Sequence, residues 1–158
     1  MEQYGKVFKK QTNGLNIFEI RAYDPNIEKY FDVIKKARDD GFKQVIINSE
    51  IMSKLMFNIL NSQGLILKIN MTDNTDQYLV DNIKSLVSKL KTNPLLFVKL
   101  KEELSFITES GSIDISSIEI FIDSTRYEIK SNGLIIGKNF DVFFNNIFLP
   151  TLEDYFHE

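Results

Sequence analysis

The chain has 158 residues, a net charge of −3, 26% charged and 43% hydrophobic residues. That is the length of one domain with ordinary globular composition, and nothing global draws it to nucleic acid or anionic lipid. It has no cysteine and one histidine, His157. Disulfide frameworks, thiolate zinc sites, Ser-His-Asp hydrolysis and multi-histidine metal centres are therefore excluded.

Twenty-one isoleucines and fourteen asparagines stand against two alanines. This bias matches AT-rich coding, as in some bacterial and mobile-element genomes. No apolar run approaches the roughly 18 residues that span a bilayer. The first ten residues are polar and basic, unlike a leader. A soluble, cytoplasmic protein is expected.

Residues 4–10 and 15–23 read as two extended runs joined by Asn13-Gly14, a hairpin turn signal. Asp24-Pro25 predicts the start of a helix, with Ile27, Tyr30, Phe31 and Ile34 on one face and Gly41 at its end. Residues 42–48, with Val45-Ile46-Ile47 apolar on both faces, read as a central strand. Ser49 is the expected cap of a second helix, with Met52, Leu55, Met56, Ile59 and Leu60 along its stripe. Residues 65–71 form another strand.

Residues 72–75 are rich in capping residues, and Leu79, Val80, Ile83, Leu86, Val87 and Leu90 mark a third helix. Residues 95–100 suit a short strand, and 101–106 fit helix or strand equally. Residues 113–138 alternate with turns at 123–125 and 131–133, which predicts an antiparallel meander. In residues 139–158, Phe140, Phe143, Phe144, Ile147 and Phe148 share a helical face, interrupted by Pro150.

The expected fold is α/β tending to α+β, in a single domain, 1–158. Residues 1–100 supply an N-terminal β-hairpin and βαβαβα units in a mixed sheet. Residues 101–158 supply the antiparallel meander and an aromatic C-terminal helix.

Several sites can be named. In open parallel sheets ligands bind beyond the carboxyl ends of the strands. Asp24, Asn48, Ser49, Glu50, Asn70, Thr72 and Asp73 collect there, as helix caps or as oxygen ligands for a hard cation such as Mg²⁺. A second group is Asp114, Glu128 and Lys130. Glu128 and Lys130 share one strand face. The spacing resembles the Asp…Glu-x-Lys signature of the PD-(D/E)xK nucleases, although Ile113 replaces the usual proline before the aspartate. That resemblance implies a Mg²⁺-dependent phosphodiesterase; no cofactor is expected under the leading reading below.

Lys6, Lys9, Lys10, Lys35, Lys36, Arg38 and Lys43, with Tyr4 and Phe8, offer a basic face for nucleic acid, against the negative total charge. Finally, Phe140, Phe143, Phe144, Phe148, Tyr155 and Phe156 form either core or a partner surface. The leading expectation is a non-enzymatic binding or regulatory protein acting through a protein partner or as a homodimer. The alternatives are the nuclease and the nucleic-acid binder, and no membrane role is expected.

Overall fold

A computed structural model describes residues 2–72, 77–109 and 114–157. β1 (Tyr4–Thr12) and β2 (Leu15–Ala22) form the expected hairpin. Asn13 and Gly14 both adopt positive φ, as a two-residue primed turn requires. The next elements are α1 (Tyr30–Asp39), β3 (Lys43–Gln44), α2 (Ser49–Asn61), β4 (Leu65–Met71) and α3 (Gln77–Leu90). A 3₁₀ turn, Pro94–Leu96, leads into α4 (Phe97–Glu109). The meander is β5 (Ile115–Ile122), β6 (Thr125–Lys130) and β7 (Leu134–Ile136). The chain closes with α5 (Phe140–Phe143), a π-helical turn (Phe144–Phe148) and α6 (Leu149–Tyr155).

The seven strands make one sheet in the order β2-β1-β7-β6-β5-β4, with β3 also on β1. The α+β class, hairpin, meander and aromatic C-terminal helix are all present. The pairing differs from the mixed sheet expected, because every described pair is antiparallel. The meander inserts between the hairpin and β4, so the helical crossovers never link parallel neighbours.

This also demotes residues 42–48. One edge of β1 is shared between β7, at Tyr4–Lys6, and β3, at Phe8 and Lys9. The Val7 amide between them is taken by the Gly133 carbonyl at 2.9 Å. Only two residues of ladder fit, and beyond them Val45 and Ile47 enter the core while Ile46 faces outward.

The strand expected at 95–100 is helical. Pro94 starts the turn, and Phe97, Leu100 and Leu104 bury at helical spacing. The first helix begins at Tyr30 rather than at Asp24-Pro25. Asp24 closes a separate single turn: its Oδ1 accepts from the Asn26 amide at 2.9 Å, and its carbonyl accepts from the Glu28 amide at 2.8 Å. Lys29 is then extended before α1 starts. At the other end Gly41 has φ +90°, and the Phe42 amide reaches the Ala37 carbonyl, a Schellman closure.

One face of the sheet packs on α2, α3, α4 and the C-terminal segment, through a large core that includes Met52, Leu55, Ile83, Leu100, Ile118, Ile120, Ile129 and Phe148. The other face is covered over β1 by α1, through the smaller cluster Phe8, Val33 and Ala37. Arg126, Glu128 and Lys130 alternate with the buried Tyr127 and Ile129, and so lie on that second face. No helix of the described residues is long and apolar enough to cross a membrane.

Candidate functional site

The two-residue turn fixes the hairpin register so that Gly5 lies opposite Ala22. One step further out, the Tyr23 amide donates to the Tyr4 carbonyl at 2.9 Å. The two tyrosine rings meet edge to face, 6.4 Å between centroids. The Asp24 turn folds back beside them, and Glu28 Oε2 lies 3.4 Å from the Asp24 amide that donates to it. Phe140 arrives from α5 against Gly5, where a Cβ would stand 2.6 Å from both Phe140 and Ile20. Only a glycine lets the ring come that close.

These elements enclose a groove of about 740 Å³ around the open end of the hairpin. Tyr4, Tyr23, Ile20 and Phe140 give it an apolar lining, and Glu2, Asp24, Glu28 and Asp141 supply carboxylates. No lysine or arginine lines it. Among the described residues none of these carboxylates makes an ion pair. The Tyr4 hydroxyl donates to Glu2 Oε2 at 3.1 Å. That hydrogen bond, then burial, then the charges of Glu2, Asp24 and Glu128 push the Tyr4 phenol above its ordinary pKa. The local potential is therefore negative. Aromatic faces beside uncompensated carboxylates attract cations both through the ring quadrupoles and through charge.

Lys6 lies nearby on the α1 face of β1. It is fully buried, its Nζ has no hydrogen-bond partner among the described residues, and the Tyr30 ring centroid is 5.7 Å away. Burial lowers its pKa to about 8. Tyr30 continues the aromatic run from Tyr23, at 5.7 Å between centroids.

The structure divides the expected strand-end cluster. Asp24 belongs to the groove. Asn48, rather than Ser49, caps α2, its Oδ1 accepting from the Ile51 amide at 2.8 Å, while its Nδ2 donates to the Tyr155 hydroxyl at 3.0 Å. Ser49 Oγ donates to Asp114 Oδ1 at 3.3 Å and accepts from the Ile115 amide at 3.1 Å. Thr72 Oγ1 accepts from the Asp114 amide at 3.0 Å, and Asn70 Nδ2 donates to Ser117 Oγ at 2.8 Å. Glu50 lines a separate polar cleft with Ser53, Lys54 and Lys101. Asp73 and Ile113 lie outside the described residues.

Asp114 is thus tied to Ser49 and Thr72, beside β4. Glu128 stands opposite Glu119 of β5 and faces a depression with Arg126 and Lys138, while Lys130 stands opposite Ser117. Among the described residues no three histidine, aspartate or glutamate side chains converge to hold a metal ion.

The basic face is dispersed. Lys6 is buried, Lys9 reaches over the Phe156 ring at 4.4 Å, and Lys10 reaches over Phe42 on the other face of β1. Of the two readings of the C-terminal aromatic segment, core or partner surface, its packing is that of core. Phe143, Phe144 and Phe148 are buried, and Phe140, Tyr155 and Phe156 pack against them. Phe143 stacks on Tyr127 at 4.7 Å, so the sheet itself covers the stripe.

Glu2, Tyr23, Glu28 and Asp141 escaped the sequence reading as site residues. Tyr23 was within reach of it, because a two-residue Asn-Gly turn places Tyr23 opposite Tyr4. Comparisons with known protein families, curated proteins and solved structures returned no match.

Proposed function

We propose that this is a non-enzymatic binding or regulatory protein that holds a lysine- or arginine-bearing segment of a protein partner in the acidic groove. The observation that carries the reading is the convergence of Glu2, Asp24, Glu28 and Asp141 on Tyr4, Tyr23 and Phe140 with no cationic residue in the lining. A cationic side chain would replace the missing counter-charges and lay its alkyl stem on the rings. The groove's volume is large enough to take a few side chains. If the partner is a second copy, the exposed Lys35, Lys36 and Arg38 of α1 supply the cations.

The test is fluorescence anisotropy of a labelled ten-residue Lys/Gly peptide, with a Glu/Gly peptide as control and sizing of the free protein. Saturable binding of the basic peptide alone, weakening with salt, supports the reading. So does a dimer that the basic peptide dissolves. Equal binding of both peptides, or of neither by a strict monomer, contradicts it.

A further inference from the structure

A second groove lies at the far edge of the sheet. β4 is the outermost strand and, among the described residues, pairs only with β5. Its outward amides and carbonyls find no backbone partner among the described residues. The groove, about 300 Å³, is lined by Leu67, Lys68 and Ile69 on one wall. Leu67 is the extra residue where the β4–β5 register shifts, between Ile66 and Lys68, so the groove meets the strand's edge at a bulge. The other wall is α3, where Ile83 and Val87 lie at the base and Lys84 and Ser88 follow at helical spacing, with Lys91 just beyond the helix end.

No carboxylate lines this groove, and Lys68, Lys84 and Lys91 make no ion pair among the described residues. An edge strand with a free ladder, an apolar floor and a cationic rim fits an extended segment that brings its own negative charge. The same lysines repel a second β4 edge, as lysines on edge strands commonly do.

We infer that the β4–α3 groove binds an acidic extended peptide, which adds to the sheet as a further strand. Backbone hydrogen bonds to β4 hold it, alternate apolar side chains enter between Leu67 and Val87, and its carboxylates meet Lys68, Lys84 and Lys91. This surface is separate from the acidic groove and independent of the function proposed there.

The experiment uses a fluorescein-labelled ten-residue peptide alternating Glu and Val, read by anisotropy, with hydrogen exchange of β4. Expected results are saturable binding and slowed exchange of β4 amides. Lys84→Glu/Lys91→Glu weakens binding about tenfold, as does N-methylation of alternate peptide amides. Both lysines are exposed, and circular dichroism checks that the variant is folded. Three results overturn the inference: no saturable binding, equal binding of the N-methylated peptide (charge attraction alone), or β4 amides protected instead by a dimer of the free protein.

Discussion

Two polar clusters stand at different edges of the sheet, and they differ in how their valences are met. In the Ser49–Thr72–Asp114 cluster each named side chain bonds its neighbours or the backbone between β4 and β5. It ties strand ends together and leaves little for a ligand. In the hairpin groove, Glu2, Asp24 and Glu28 accept from local donors, and among the described residues the group has no counter-charge. The contrast shows why polar residue types alone mislead. A cluster closed on itself is structural, whereas a like-charged cluster beside apolar rings is open to the partner proposed above.

The largest expected effect separates scaffold from site. Phe148 is 1% exposed and touches both Phe143 and Phe144, so Phe148→Ala should destabilise the fold by about 3–5 kcal/mol in denaturant titration. A loss below about 1 kcal/mol would return the aromatic segment to the list of surfaces.

Lys6 comes next. Its folded pKa, about 8, lies below the ordinary 10.5 because burial disfavours the ammonium. Between those values the unfolded chain holds the proton and the folded one does not, so stability rises with pH through this window and is lost as pH falls through about 8. Lys6→Met should remove that slope and raise stability near neutral pH by about 3 kcal/mol, without weakening cation binding in the groove. A pH-independent difference between the two proteins over that window would contradict the assignment.

Gly5→Ala tests the groove floor. Its Cβ would stand 2.6 Å from Phe140 and Ile20, so we expect a loss of about 1–3 kcal/mol in stability and weaker binding of a basic peptide. Ser49→Ala should cost about 1 kcal/mol or less and leave that binding unchanged.

Local chemistry was legible in the sequence where one residue type enforces one geometry. Asn13-Gly14 specified the hairpin, Gly41 the end of α1, and the spacing of Met52, Leu55, Met56 and Ile59 the buried face of α2. Sheet order was not legible, because Val45-Ile46-Ile47 has the same apolar pattern whether it is central or squeezed beside a meander. Lys6 alternates with Gly5 and Val7 and so reads as solvent-facing, since nothing local says that α1 will cover that face. Half of the groove follows from hairpin register. The other half depends on α5 returning across more than a hundred residues to place Phe140 and Asp141.

The most direct test sets the two polar clusters against each other in one calorimetric titration with the Lys/Gly peptide. Asp24→Asn/Glu28→Gln should weaken binding about tenfold, while Ser49→Ala/Asp114→Asn should leave it unchanged. Equal affinities for all three proteins, or a greater loss from the Ser49/Asp114 pair, would contradict the account.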